Sequence, residues 1–462
     1  MPKVIEQVAR HLTIDQTSHA LWELCYFERA SAHILAGWIA KICELDVKFA
    51  LGRHLSQDMH HAAQLRRRFD NLNDLAGGSH HVPSGWQSVM VAVDQASDTR
   101  NLLVGLYEVI KGHLHELSTH YLANADPVAD AHTVALVRVI DSDNSERREW
   151  AKQAANSLPH NHDSNQFQKY IDELWRHRST EDCVDSEHAL WSPLDRVPQV
   201  GRAQNLRRGE PGALRLVPAD PFRNPKDIGI FLHNFLNEEI STLELVSRNS
   251  YEHPGMPSKF HLDMARQAGD EARHALLLQE LAAQYGVTYG DYPVYVSSYE
   301  AQYQFQACEP GGRRELLWRI LLRQAFHEGL ALDSLAFEVR KRDFLGQPEM
   351  ARIFGFLLSD EVFHAQSGLC WSRYLCDSEK KSATEEMAAA HEYFVERVKR
   401  ARARFVADHM DKAIAEVEML DCIAENLPAL PFEREINVRA REQAGYTPEE
   451  VQQVIDWGYA RH

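Results

Sequence analysis

The chain is poor in the usual handles on function. Its seven cysteines, at positions 25, 43, 183, 308, 370, 376 and 422, form no Cys-x-x-Cys pair. That excludes a zinc knuckle and offers no disulfide framework, so reduced thiols in a cytoplasm are the expectation. No stretch approaches the roughly 18 apolar residues of a membrane span. The opening Met1-Pro-Lys-Val-Ile-Glu-Gln lacks the apolar core of a signal peptide. A soluble cytoplasmic protein without membrane contact is therefore expected. Positive charge is also scarce: 50 Lys and Arg face 67 Asp and Glu, a formal net charge of -17. Such a balance opposes association with nucleic acid or anionic lipid. The basic runs Arg66-Arg67-Arg68 and Arg397 to Arg404 read as solvated helix faces.

What the chain has is helix. Apolar residues recur at three- and four-residue spacing over long segments, with few β-branched alternations and prolines kept to the joints. The pattern fails between about 158 and 225, where Pro159, Pro193, Pro198, Pro211, Pro218, Pro221 and Pro225 lie among polar residues. The expected organisation is all-α: an N-terminal helical bundle over 1–157 and a proline-rich linker over 158–225, with one short helix near Phe167 to His177. A second bundle over 226–380 and a helical extension over 381–462 complete it.

Four acid-x-x-His matches occur, at Asp58/His61, Asp185/His188, Glu271/His274 and Glu361/His364. Composition alone predicts roughly that many, so the bare motif carries no information and the setting must. Asp185/His188 falls in the linker and is discarded. The other two C-terminal pairs lie on helical stripes that are otherwise core: Ile353, Leu357, Glu361, His364, Gly368, Trp371, and Met264, Gln267, Glu271, His274, Leu278, Leu281. Glu328 follows Leu317, Leu321 and Gln324 on a third stripe. Glu239 sits between Leu232, Phe235, Leu243 and Val246 on a fourth, in preference to Glu238. Four ionised carboxylates on buried stripes would repel one another unless divalent cations held them. The candidate metal ligands are thus Glu239, Glu271, His274, Glu328, Glu361 and His364. Any one of them alone reads better as a surface helix charge or a satisfied core histidine; for the ordered set of six the metal reading is the stronger.

The N-terminal half echoes this order, which suggests a tandem duplication. Glu28, Asp58, His61, Glu116 and Glu149 are separated by steps of 30, 55 and 33 (Glu28 to Asp58, His61 to Glu116, Glu116 to Glu149). In the C-terminal half the steps are 32, 54 and 33. His115-Glu116 matches His327-Glu328 in local text. Where His364 follows Glu361, Lys152 follows Glu149, and a protonated lysine cannot ligate. The expectation is a degenerate second site in which Lys152 supplies the charge a metal would. His113 and His120 flank Glu116 in plain structural roles.

Glu239, Glu271-x-x-His274, Glu328 and Glu361-x-x-His364 resemble the ferritin-like di-iron carboxylate superfamily, which includes rubrerythrin, ribonucleotide reductase small subunits and the bacterial multicomponent monooxygenases. The C-terminal half is similar to a little-characterised ferritin-like family related to the MiaE-type tRNA hydroxylase. The matching text is Glu239-Ile-Ser-Thr-Leu-Glu244-Leu, Asp360 through Trp371, Phe432 through Asn437, Ala440-Arg441 and Ala444-Gly445-Tyr446, within Pro225 to Tyr446. The resemblance implies tandem ferritin-like four-helix bundles, up-down-down-up with a long crossover, the second carrying the di-metal site. It implies two Fe, with Fe/Mn or Mn as alternatives, and dioxygen as co-substrate. Glu239, Glu271 and His274 would hold one ion and Glu361 and His364 the other, with the bridging carboxylates left open.

The function expected is that of a non-haem di-iron oxidase or oxygenase that hydroxylates, N-oxygenates or desaturates a small organic metabolite. An electron donor and a homodimer are compatible with it. Two competing readings are an iron-handling ferroxidase or storage protein, and a metal-free ferritin-like scaffold. A tRNA substrate is disfavoured by the acidity.

Overall fold

The computed structural model describes residues 11–76, 81–159, 163–179, 182–184, 190–208, 225–408 and 432–456. The discarded pair Asp185/His188, Cys422 and the prolines 211, 218 and 221 lie outside them. The described residues are predominantly helical with almost no strand. Among the described residues no helix is long and apolar enough to cross a membrane, and the described cysteines are free.

The chain packs into two compact units. The first comprises Met1–Ile42, Asp46–Arg196 and Ser250–Gly269, and the second Cys43–Leu45, Val197–Asn249 and Asp270–His462. The first unit contains α1 (Ile14–Trp38), most of α2 (Leu45–Ala76), α3 (Ser84–Asp94), α4 (Thr99–Leu103), a π-helical segment Val104–Ile110, α5 (Lys111–Asn124), α6 (Ala131–Ser157) and α7 (Ser164–Arg176). Helix α1 opens on a capping box, with Thr13 and Gln16 each bonding the other's backbone N–H. Its residues are then buried almost all round, which makes it a central helix rather than an amphipathic surface one. Two short strands, β1 (Val82–Pro83) and β2 (Cys183–Val184), pair antiparallel.

The second unit is built on α8 (Pro225–Glu252), α9 (Ser258–Gln284), α10 (Ser297–Tyr303), α11 (Arg313–Ile320), a second π-helical segment Leu321–His327, α12 (Glu328–Phe344), α13 (Pro348–Glu379) and α14 (Ala383–Asp408). The last three residues of α8 and the first part of α9, up to Gly269, belong to the first unit. Two short helices, Val438–Gln443 and Pro448–Asp456, close the chain. Each unit therefore repeats one order: a long helix, a second long helix, a helix interrupted by a seven-residue π segment, and a third long helix.

The proline-bearing stretch after 158 is more than a connector. Ile171, Trp175, Leu190 and Trp191 are buried within the first unit, and Val197 and Val200 within the second. The tail residues act on α12. Arg441 Nη2 donates to the Gly329 carbonyl at 2.7 Å and to Asp333 Oδ2 at 2.6 Å, and Tyr446 Oη donates to the Ala325 carbonyl. A Cβ at Gly329 would run into Tyr446 Oη, so the glycine is what lets the tail seat there.

Candidate metal centre

The six C-terminal candidates come together. Glu239 on α8, Glu271 and His274 on α9, Glu328 at the start of α12, and Glu361 and His364 on α13 all have 6 % exposure or less. A carboxylate and an imidazole three residues apart on one helix face point the same way. Helices α9 and α13 thus each deliver an acid–histidine pair, and α8 and α12 each deliver one acid. Glu239, Glu271, His274 and Glu361 offer ligand atoms that all lie within 4.8 Å of one another and could hold a metal ion.

The two ExxH glutamates differ from the other two. Glu271 presents Oε2 to His274 Nδ1 at 3.5 Å and Oε1 to His364 Nδ1 at 3.4 Å. Glu361 does the same, with Oε1 3.7 Å from His274 Nδ1 and Oε2 3.0 Å from His364 Nδ1. Each of these carboxylates spans both imidazoles. Glu239 faces one of them, with Oε2 3.3 Å from His274 Nδ1.

The opposite ring nitrogens are held crosswise. His274 Nε2 lies 3.1 Å from Asp360 Oδ2, and His364 Nε2 lies 3.4 Å from Asp270 Oδ2. The aspartate preceding each ExxH glutamate thus orients the histidine of the other helix. Arg273 Nη2 donates to both aspartates, at 3.0 Å to Asp270 Oδ1 and more closely to Asp360. Carboxylate-held imidazoles of this kind fix the tautomer and ring plane of a metal-ligating histidine. Sequence reasoning gave Asp270 and Asp360 no role; the signal was the repeated Asp-Glu-x-x-His itself.

Electrostatics point the same way. Burial, reinforced by Glu239, pushes the Glu271 carboxyl up to about 7. Burial together with Glu361 and Glu271 pushes Glu328 well above the carboxylate range. Burial opposes charge on the two histidines, yet the surrounding carboxylates outweigh it and raise both well above the ordinary imidazole value. Four carboxylates crowded together recruit protons, and divalent ions would answer the same excess of negative charge. Carboxylate and imidazole donors without a thiol suit hard or borderline metals. The residues fit such ions.

Two features of the backbone place this set. The π segment Leu321–His327 ends immediately before Glu328, and such inserted turns re-aim a helix face at functional sites. Beside it, a Cβ on Gly368 would fall 2.5 Å from the Ala325 nitrogen, so the glycine lets α13 approach the π segment.

In the first unit three of the five candidates meet: Glu28, Asp58 and His61 are buried and close enough together to share an ion. The other two do not join them. Glu116 is 75 % exposed in its side chain and faces His113, while Glu149 is exposed and accepts from Gln153. Lys152 is exposed as well, so it supplies no charge to the site. His113 stacks on Trp175 and bonds Asp172.

The residues that do complete the cluster lie five positions earlier. Lys111 Nζ donates to Glu28 Oε2 at 2.8 Å and Asp58 Oδ1 at 2.9 Å. Arg147 donates to Asp58, and its Nη2 reaches His61 Nδ1 at 3.3 Å and Asn144 Oδ1 at 2.9 Å. Asn144 Nδ2 donates to Glu28 Oε1 at 2.7 Å. His61 Nδ1 also lies 3.6 Å from Glu28 Oε2, and its Nε2 lies 3.0 Å from Asp143 Oδ2. Burial alone would raise Glu28; Lys111, His61 and Arg147 outweigh it and hold it well below the carboxylate range.

The corrected register is regular. Lys111 directly follows the first π segment as Glu328 follows the second, and 33 residues separate Lys111 from Asn144 as they separate Glu328 from Glu361. Asn144-x-x-Arg147 stands where Glu361-x-x-His364 stands, and Asp143 where Asp360 does.

A family described as "Protein of unknown function (DUF455)" matches residues 159–452, well over half of the chain. The chain belongs to that family. The matched span contains all six ligand candidates of the second unit and none of the cluster formed by Glu28 to Arg147. No curated protein and no solved structure matches the chain.

Proposed function

We propose that the second unit is a ferritin-like bundle carrying a di-iron centre and that the protein is an oxygen-dependent oxidase or oxygenase of a small organic molecule. The observation that carries this reading is the pair of carboxylates, Glu271 and Glu361, each presenting one oxygen to each of two Nδ1 atoms whose rings are locked from behind by Asp360 and Asp270. In this arrangement Glu239, Glu271, His274, Glu328, Glu361 and His364 would hold the ions. When bound, a redox-active pair of this kind supplies dioxygen activation.

The chain's own residues do the rest. Asp360 and Asp270 keep the proton on each Nε2 and so leave Nδ1 free as a donor atom. Leu278, Ile353 and Leu357 lie on the same helix faces, are buried, and keep those faces dry. The net charge of -17 favours a small metabolite over a nucleic acid.

Metal analysis of the purified full chain together with oxygen uptake tests the reading. Two irons per chain are expected, with both metal and uptake lost in Glu361→Ala and His364→Ala and both kept in Lys152→Ala. Full metal content in Glu361→Ala would overturn the assignment. Tens of irons per chain would indicate storage instead. Anomalous scattering at the iron edge would separate Fe from Mn.

A further inference from the structure

The first unit holds a second constellation that plays no part in the metal chemistry. A cavity of about 510 Å³ opens between α1, α2 and the first turns of α9. Its α1 wall is one helical face, Trp22, Cys25, Tyr26 and Arg29, at i, i+3, i+4 and i+7. Met59, Ala62 and Leu262 extend the apolar lining, and the volume is that of a typical small-molecule site.

The polar groups of this cavity are unusual. Tyr26 is 4 % exposed, and its hydroxyl has no hydrogen-bond partner. Arg29 Nε is likewise buried without a partner, and among the described residues no carboxylate lies within ion-pair reach of its guanidinium. Burial, with Arg66 beside it, holds the Arg29 guanidinium below its ordinary value. Arg66, Arg67 and Lys259 also line the cavity, against Asp70 as the one acidic lining residue. Asp70 is engaged with Arg66 at 2.7 Å, and Lys259 bonds Asp263. On a chain with a surplus of 17 negative charges, this is a local excess of cations around an apolar floor. Arg29 as a whole is half-buried, and a partly desolvated guanidinium without a counter-charge costs the folded state hydration that an anionic ligand would restore.

We infer that this cavity is a binding site for a small organic anion, a carboxylate or phosphate group on an apolar body. Arg29 takes the anionic head through charge-assisted hydrogen bonds, Tyr26 donates its free hydroxyl to the same head, and Trp22 and Met59 pack against the apolar part. The inference is independent of the di-iron reading, since none of these residues is a candidate metal ligand.

Calorimetry and thermal unfolding of the full chain with phenyl phosphate, phenylacetate and, as a neutral control, benzyl alcohol test it. At least one of the two anions should bind once per chain, weaken as salt is added and raise the Tm, and the preference between them distinguishes a phosphate from a carboxylate head. Benzyl alcohol should not bind. Arg29→Met should weaken anion binding about tenfold or more while raising the Tm of the ligand-free protein, because it removes a partly desolvated charge that has no counter-charge. A merely structural arginine would give the opposite Tm change. Tyr26→Phe should weaken binding severalfold and decides the matter if Arg29→Met fails to fold. The inference is overturned if neither anion binds the unmodified chain at millimolar concentration, if Arg29→Met lowers the Tm, or if binding is unaltered in whichever of the two variants folds.

Discussion

In the second unit, four glutamates and two histidines occupy six helix positions, and no lysine or arginine is among them. In the first unit the corresponding positions hold Glu28, Asp58, His61, Lys111, Asn144 and Arg147, where two carboxylates meet two cations. On the reading proposed above, one set of backbone positions balances its charge in two ways: with its own side chains in the first unit, and with ions from solution in the second. The outer hydrogen bond survives in both, His61 to Asp143 as His274 to Asp360. On the same reading a site without metal keeps its buried polar core, provided Lys111 and Arg147 are both present.

The largest effect is expected from reversing the difference. Lys111→Glu, Asn144→Glu and Arg147→His combined would give the first unit the ligand types of the second. Bound metal per chain should about double, and the metal-free chain should lose stability because four carboxylates are then buried together. A folded triple variant with unchanged metal content would break the equivalence of the two sites.

Next in size, Lys111→Met leaves Glu28 and Asp58 short of a cation and should cost about 3–5 kcal/mol in urea unfolding, with the metal content of the second unit unchanged. Glu328→Gln, at the matching position, should do the reverse: metal is held more weakly, while the metal-free protein gains stability at neutral pH because the native chain no longer has to keep a buried carboxyl protonated. If both variants destabilise the metal-free chain alike, the charge argument fails.

The orienting aspartates allow a finer comparison. Asp360→Asn should weaken metal binding by about 10–100-fold in competition with a chelator. Asp143→Asn should cost only about 1 kcal/mol of stability and no metal.

Acid should act alike on one buried histidine in each unit. His261 in the first and His233 in the second are both held at about 4, against an ordinary 6.5, chiefly by burial. The unfolded chain therefore binds protons between pH 6.5 and 4 that the native chain refuses. Stability is fully present above 6.5 and falls as pH drops through that window, by about 2 kcal/mol per histidine at pH 5. Replacing either histidine with glutamine should flatten the unfolding profile there; an unchanged profile would remove that histidine as a cause.

Much of this was legible in the sequence. Three- and four-residue apolar spacing marked the helices, and the core stripes around Glu361 and Glu271 marked the second unit's cluster, because a buried helix face imposes its period on the residues that line it. The first unit was misread after His61. The local likeness of His115-Glu116 to His327-Glu328 set the register five residues late, whereas the true counterparts, Lys111 and Arg147, share no residue type with Glu328 and His364. A π segment leaves no periodic trace that apolar spacing can reveal, and the crosswise bonds of Asp270 and Asp360 join residues about 90 positions apart.

The sequence by itself determined that this is a helical chain, and which carboxylates and histidines are too costly to bury alone, since both follow from helical period and the desolvation of charge. Only the tertiary structure decided which of them meet. Neutrality is a property of a site rather than of a segment: the packing of four helices puts Lys111 and Arg147 among the acids of one unit and gathers four glutamates with two histidines in the other.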